Sequence, residues 1–484
     1  MGPASACTLW WATVALAAAP PMEKPAPRPS IDWVDYPQVS MHFPSGIRIV
    51  LQEDHSAPIV QTYAIVGAGS SADPVGKEGT AHYAEHLWFR SQSQGRSVMD
   101  GLEDLGGVFN ATTSLDATDF TIVARAEFLP DLFRLESQRL TDPCGTISRG
   151  DFGIERDVIL NERRSREQQL GFLLSMMQEV LYPADHPYGR PASLVSLARI
   201  SMADACTFAQ THYTPANTTL FVTGDFTVER AISNVFEFFA PHLLHPDLKP
   251  EHLHRQPREG VQQPDPQKPE DWVWDALDPA HYPAKRTPLT LLNSSELPPR
   301  VANRPTPLPE LTEREIAVRK GPVEFPVAMI GYSLPGTWHN EQFYYNLMEH
   351  VAKEYVGYYL ANSLALNHVG KSDCSLIPGA VNATLICAVA ILRPDLITPE
   401  QAQNLMLDGL GALKLPETGQ AYNQIVKEER LRSMADIALY QDVVSSTSSA
   451  RTHSAAAWVH YTGQSRYIPN ILDTVMTLDA GRLS

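Results

Sequence analysis

The segment that decides the fold is Thr80–Leu87, which reads T-A-H-Y-A-E-H-L and contains the pattern H-x-x-E-H. On a helix, positions i and i+4 lie on one face, so His82 and His86 can approach the same metal ion, and Glu85 borders that face. Two neutral imidazoles suit Zn²⁺, and a carboxylate beside the open coordination position can accept a proton from bound water. The segment predicts a catalytic zinc helix; the alternative is a pair of hydrogen-bonded core histidines.

A helix predicted over residues 150–167 offers the third protein ligand that a catalytic zinc site needs. Glu155 and Glu162 are seven residues apart there, which puts both carboxylates on one side of the helix, flanking an apolar stripe. Carboxylates in such a place are costly unless a cation pairs with them. Either zinc takes a ligand from this helix, or the helix is an ordinary charged one, salt-bridged to nearby arginines.

Alternating apolar segments around the zinc helix predict strands. Two of them, His42–Glu53 and Ile59–Gly67, are rich in Val and Ile and are separated by a turn. The remaining predicted elements of this half are extended segments at 109–113, 120–126 and 218–223 and helices at 128–142, 150–167 and 171–181. Residues 31–240 are therefore interpreted as one α+β domain that contains the zinc helix.

The same order of elements returns after residue 313. Extended segments are predicted at 314–320 and 327–334, followed by a helix over 341–366. This repetition predicts a second domain homologous to the first, spanning 313–484. The second copy ends about 30 residues earlier than the first copy would, so it is either truncated or reduced.

Residues 241–312 join the two predicted domains and are dense in Pro and charge, without a sustained apolar period. A linker of this length in a compact protein is either disordered or a strap over the surface, and Trp272 and Trp274 favour partial docking.

Residues 1–30 resemble an export signal followed by a Pro-rich leader. The apolar run Leu9–Ala19 is too short to span a bilayer and ends in alanines. We therefore expect a periplasmic or otherwise exported protein with no membrane span. An unstructured N-terminus and a misassigned start are the alternatives.

Charge and cysteine usage limit the partners and the type of metal site. A net charge of −17 with no basic run disfavours nucleic acid as a partner. No CxxC pair occurs, so a cysteine-ligated zinc is not expected. Cys374 and Cys387 are close enough in sequence for a disulfide in an oxidising compartment, and buried free thiols are the alternative.

These motifs together resemble the pitrilysin/insulinase (M16) family of zinc peptidases, and within it the half-length, mitochondrial-processing-peptidase-like branch (M16B). In that family a ligand Glu follows the second His by about 76 positions, and here 162 − 86 = 76. The resemblance implies zinc ligands at His82, His86 and Glu162, with Glu155 supporting a ligand histidine from outside the metal shell. It also implies the LuxS/MPP-like metallohydrolase fold, in which each domain is a mainly antiparallel sheet packed with helices.

Residues 105–111, L-G-G-V-F-N-A, resemble the family signature beside the substrate strand. Asn110 and Ala111 match positions that hold the substrate backbone, and the resemblance implies that an extended peptide is added to a sheet edge there. Further matches occur at 44–50, 66–70, 186–190 and 213–217.

The second half departs from the pattern of active single-chain members, which carry R-x-x-x-G-x-x-Y near the scissile bond. The corresponding stretch, 366–374, reads L-N-H-V-G-K-S-D-C and contains neither Arg nor Tyr. We therefore hypothesise that the chain is the zinc-bearing subunit of a heterodimer whose homologous partner supplies those residues.

The predicted function is that of a zinc metalloendopeptidase, in which zinc-bound water hydrolyses extended peptides and Glu85 is the general base. Two other functions remain open. One is a non-catalytic scaffold or binding subunit of the same fold, and the other is hydrolysis of a small non-peptide amide.

Overall fold

A seven-stranded sheet with helices on both faces is the main feature of this computed structural model. The structure describes residues 38–43, 45–93, 95–144, 147–167, 170–243, 254–257, 272–275, 291–292, 325–336, 342–362, 367–380, 382–411 and 448–462. The predicted leader, the extended segment 314–320 and much of the predicted linker lie outside these residues.

Strands and helices alternate irregularly in the first half, as in α+β proteins. The strands are β1 (Gln38–His42), β2 (Arg48–Glu53), β3 (Ile59–Val66), β4 (Gln92–Ser93), β5 (Arg96–Ser97), β6 (Val108–Thr113), β7 (Thr118–Arg125) and β8 (Thr218–Gly224). The helices are α1 (Thr80–Arg90), α2 (Val98–Asp104), α3 (Leu129–Thr141), α4 (Arg149–Glu167), α5 (Leu170–Leu181), α6 (Leu194–Arg199), α7 (Met202–His212) and α8 (Val228–Leu243).

The predicted strand His42–Glu53 is wrong at its start. His42 ends β1, and β2 begins at Arg48 after a reversal in which Gly46 N–H donates to Phe43 O at 2.8 Å. Gly46 has a φ of 90°, a left-handed conformation that glycine adopts without a Cβ penalty, and this allows the tight turn.

The main sheet has the order β11-β1-β2-β8-β3-β7-β6, where β11 is Leu291–Leu292. All its pairings are antiparallel except that of β2 with β8. β11 lies in the predicted linker, and its pairing with β1 shows that this part of the segment runs along the sheet edge. The linker also contributes β9 (His254–Pro257) and β10 (Trp272–Asp275), which pair with each other.

The second half builds its own smaller sheet. Its elements are β12 (Val327–Pro335), α9 (Gln342–Asn362), β13 (Asp373–Ile377), β14 (Asn382–Ala390), α10 (Pro399–Gly411) and α11 (Ser448–Thr462). β14 lies between β12 and β13, antiparallel to both. The residues of α9 and α10 pack on this sheet in a core that includes Val356, Met406 and Leu385.

Each half of the chain contributes one helix that packs on the sheet of the other half. α5 packs on the second sheet, where Met177, Met329 and Ile386 belong to one apolar cluster, and α11 packs on the first sheet. The first sheet is therefore covered on both faces: Leu220 of β8 joins the core formed with α1, α3 and α8, whereas Thr219, which points to the other side, bonds His460 of α11 at 2.9 Å. The predicted two-domain α+β fold is confirmed, with the halves interlocked by this exchange.

Two disulfides join elements of the described part of the chain. Cys144, after α3, pairs with Cys206 of α7, and Cys374 pairs with Cys387 across β13 and β14. Cys374 and Cys387 are direct partners in the strand register, which resolves the open choice between a disulfide and free thiols. No described helix is both long enough and apolar enough to cross a bilayer.

Candidate metal centre

The helix with the H-x-x-E-H pattern is fixed at its first turn by Asp73. The Asp73 carboxylate accepts hydrogen bonds from the backbone N–H groups of Gly79, at 2.6 Å, and Ala81, at 2.7 Å. A carboxylate in this place satisfies donors that have no partner within the helix and complements the helix dipole. Burial nevertheless raises the pKa of Asp73 to about 7.

Apolar packing brings α1 against α4. Tyr83 and Leu87, one turn apart on α1, are fully buried in a cluster with Ile159 of α4 and with Leu197 and Ala205. Because His82 and His86 lie on the adjacent face of α1, this packing presents both imidazoles to the carboxylates of α4.

The side chains of His82, His86 and Glu162 converge. His82 Nε2 lies 3.2 Å from His86 Nε2 and 3.4 Å from Glu162 Oε2, and His86 Nε2 lies 3.8 Å from the same oxygen. Ligands about 2.1 Å from a tetrahedral zinc are about 3.4 Å from one another. The three donors therefore fit a zinc ion, and they are a cluster of the kind that holds a metal.

Glu155 lies behind His86. Glu155 Oε2 is 2.8 Å from His86 Nδ1, on the side of the ring away from the metal position, and Oε1 accepts a hydrogen bond from Arg90 Nε at 2.6 Å. A carboxylate at this point fixes the ring orientation and keeps the proton on Nδ1, so that Nε2 is free for the metal.

Burial and neighbouring charges shift the pKa values of the site residues in different directions, towards the metal-binding form for His82 and Glu155 and away from it for His86. Burial, reinforced by His86 and Arg166, lowers the pKa of His82 to about 3, so this imidazole is neutral near pH 7. Burial opposes ionisation of Glu155, but the hydrogen bonds from His86 and Arg90 outweigh it and lower the pKa of Glu155. Burial also disfavours protonated His86, but the bond to Glu155 and the negative charges of Glu85, Glu162 and Glu155 together outweigh it and raise the pKa of His86.

Glu85 is almost fully buried beside the two histidines, with 6% of its surface exposed. Thr113 Oγ1, at the end of β6, donates a hydrogen bond to Glu85 Oε2 at 2.5 Å. Burial raises the pKa of Glu85 to about 6, against the lowering effect of this bond. The pKa of the Glu85 carboxylate thus lies close to neutral pH, as the pKa of an efficient general base does.

The strand next to the site is at the edge of the main sheet. Within the described part of the chain β6 pairs with β7 alone, so its outer edge offers backbone groups to another strand. Asn110 is exposed and Ala111 is partly buried on this strand. Their predicted contact with a substrate backbone stays a prediction, but both lie on an edge that can accept one.

Two family models match the chain. The model described as insulinase (peptidase family M16) matches residues 48–185, which contain all the site residues above, and the model described as the peptidase M16 inactive domain matches residues 199–420. The chain belongs to the M16 peptidase family.

Curated relatives of this M16 family member include zinc proteases. An uncharacterized zinc protease of Mycobacterium leprae is 28% identical over 211 residues, which are 42% of this chain and 46% of that protein. The probable beta subunit of the mitochondrial-processing peptidase of Arabidopsis thaliana is 27% identical over 213 residues, 40% of this chain and 37% of that protein. The matched region thus spans about half the length of such relatives or less.

Solved structures of proteases share the fold over nearly the whole chain. A protease from Helicobacter pylori superposes with a TM-score of 0.67 at 17% identity, covering 93% of this chain and 95% of that one. The first half of the periplasmic protease PqqL from Escherichia coli gives a TM-score of 0.58 at 16% identity, covering 92% and 87%. At these identities the likeness establishes the fold alone.

Sequence reasoning missed two polar residues of this candidate site. Arg90 is four residues after His86 on α1, so helix geometry could have placed it beside Glu155. Thr113 had no local signal, because its contact with Glu85 joins the end of a strand to a helix 28 residues earlier in the chain. The stretch that lacks Arg and Tyr is described from Asn367 onward and leads into β13.

Proposed function

We propose that this chain is a zinc-dependent endopeptidase that hydrolyses extended peptides or unfolded polypeptides. The observation that supports this most strongly is the convergence of His82, His86 and Glu162, with the buried Glu85 one residue before a ligand. Three protein ligands leave a coordination position open. When bound there, zinc supplies a Lewis acid for the attacking water and for the scissile carbonyl.

Glu85 is the proposed general base. Its carboxylate is held beside the metal position, and its pKa of about 6 leaves it ionised at neutral pH. It accepts the proton of the attacking water and then delivers that proton to the leaving amine. Glu155 and Arg90 act on the same step indirectly, by keeping the His86 ring oriented.

The proposed substrate site is the free edge of β6. A peptide that adds to this edge as a further strand is held by main-chain hydrogen bonds, which explains a preference for extended chains. Asn110 and Ala111 lie in the middle of this strand, and Thr113 at its end touches Glu85. The strand therefore leads a bound peptide towards the metal centre.

We infer further that the chain works as the zinc-bearing subunit of a heterodimer in the mitochondrial-processing-peptidase-like branch. We assign residues 31–240 to the zinc-bearing domain and 313–484 to an inactive homologous domain, joined by the linker 241–312. The absence of Arg and Tyr from residues 366–374 supports a partner that supplies them. Relatives named as beta subunits of mitochondrial-processing peptidase are consistent with this role.

An exported location is also proposed. The two disulfides pair all the cysteines of the described residues, and disulfides persist in oxidising compartments such as the periplasm. The apolar run Leu9–Ala19 supports the same location. Fractionation of cells that express the full chain, followed by N-terminal sequencing, tests it: a cytoplasmic protein that keeps Leu9–Ala19 would contradict export.

The deciding experiment measures zinc content and cleavage of unstructured fluorogenic peptides. The chain is assayed alone and then together with its most similar homologous protein that lacks H-x-x-E-H, the candidate partner subunit. Glu85→Gln is the matched catalytic control. We expect one zinc ion per chain, with activity that appears or rises sharply when the neighbour is added. Full activity of the chain alone would contradict the heterodimer. Peptide binding without zinc or turnover under either condition would indicate a scaffold subunit instead.

A further inference from the structure

We propose that Thr113 is a positioning residue that holds the general base Glu85 in its working orientation, so that the strand that binds the peptide also aligns the base. This inference rests on the proposed peptidase function and goes one step further, because it assigns a role to a residue outside the H-x-x-E-H helix.

The contact itself is short and partly buried. Thr113 Oγ1 donates to Glu85 Oε2 at 2.5 Å, and among the described residues no other hydrogen bond reaches this carboxylate. With one oxygen engaged in this way, the other carboxylate oxygen is left to accept the proton of water. A carboxylate with 6% exposure has little water to orient it, so a single protein donor largely sets its rotamer.

The donor is itself firmly placed. Thr113 pairs with Thr118 of β7, and the turn that follows is closed by Ser114 N–H donating to Ala117 O at 2.8 Å. The same turn accepts hydrogen bonds from the segment that leads into α1: Ser70 N–H donates to Ser114 O at 2.9 Å and Ser71 N–H donates to Leu115 O at 2.7 Å. The hydroxyl is therefore preorganised relative to the helix that carries Glu85.

Strand geometry separates this role from substrate binding. Along β6 the exposed residues Asn110 and Thr112 alternate with partly buried ones, and Thr113 points to the side of α1. The backbone of β6 is available to a peptide while the Thr113 side chain holds the base. Without the hydroxyl, Glu85 can turn to other rotamers, and misplacement of a catalytic group by about 1 Å lowers turnover by up to about 100-fold.

The test compares three variants. Thr113→Val removes the hydroxyl and keeps the shape and the strand preference, and Thr113→Ser restores the donor. Thr112→Val makes the same chemical change one residue away on the opposite face, so it measures the effect of losing a hydroxyl in β6 that does not touch Glu85. For each variant, kcat and KM are measured on one fluorogenic peptide under the conditions that give wild-type activity. Zinc affinity is measured by chelator competition and folding by circular dichroism.

We expect Thr113→Val to lower kcat by about 10- to 100-fold relative to Thr112→Val, with KM and zinc affinity changed by less than about threefold. Thr113→Ser should recover kcat to within about threefold of wild type. The inference is overturned if Thr113→Val loses no more activity than Thr112→Val, if the loss is in KM or zinc affinity, or if serine does not restore kcat. A wild-type chain inactive under every condition would refute the proposed function itself, which is a distinct result.

Discussion

Glu155→Gln is the substitution whose effect on the metal centre can be worked out most fully from the geometry. Glu155 accepts two hydrogen bonds at once, from His86 Nδ1 at 2.8 Å and from Arg90 Nε at 2.6 Å. Glutamine has almost the same shape but only one acceptor oxygen, and its other terminal group is a donor. It can therefore satisfy one of the two partners.

The Arg90 guanidinium is expected to bond the amide oxygen of the glutamine, because hydrogen bonds from a charged donor are about twice as strong as neutral ones. The amide NH₂ group then faces His86 Nδ1 and favours the tautomer with the proton on Nε2, the nitrogen that must bind zinc. Loss of such a supporting carboxylate costs about 10- to 100-fold in metal affinity, or about 1.4–2.8 kcal/mol.

The assay is competition for zinc between the purified protein and a chromophoric chelator, which needs no catalytic activity. Adding Arg90→Gln to Glu155→Gln provides the matched control: without the arginine, the glutamine oxygen is free to accept from His86. The double variant should therefore bind zinc more tightly than Glu155→Gln alone. If Glu155→Gln binds zinc within about twofold of wild type, or if the double variant binds more weakly still, the tautomer reasoning is wrong.

Four further outcomes are expected. Glu85→Gln should keep its zinc and lose turnover, and undiminished peptide cleavage would show that Glu85 is not the base. Wild-type kcat/KM should fall as the pH drops through about 6, since only ionised Glu85 accepts a proton and burial raises its pKa to about 6. A kcat/KM that stays constant between about pH 8 and about pH 5, with zinc content unchanged, would refute this assignment. Arg48→Met should lower the free energy of unfolding in urea by about 1–3 kcal/mol, because the buried guanidinium donates to the last carbonyls of α11 at 3.1 and 3.4 Å, and Arg48→Lys should lose less. Replacing both Cys374 and Cys387 by Ala should cost about 2–4 kcal/mol in the same measurement, and an unchanged unfolding midpoint would contradict a disulfide in solution.

The differences between the predicted and observed elements come from contacts between distant parts of the chain. Residues 241–312 are predicted as a linker because they lack an apolar period. Within this segment, however, β11 adds a strand to the main sheet through backbone hydrogen bonds. Likewise, no local pattern in residues 448–462 shows that α11 packs on the first sheet, where Arg48 and Thr219 form hydrogen bonds with it.

The sequence by itself determined the two histidines and Glu85 as a unit, because positions three and four apart on a helix share a face whatever surrounds the helix. Glu162 lies 76 residues after His86, so its place beside the two histidines depends on the packing of Ile159 against Tyr83 and Leu87, which only the tertiary structure provides. The same holds for Thr113 and for the cysteine pairs. A strand register or a helix contact sets the distance from Thr113 to Glu85 and the distances between the paired cysteines. Neither produces a periodic pattern in the sequence.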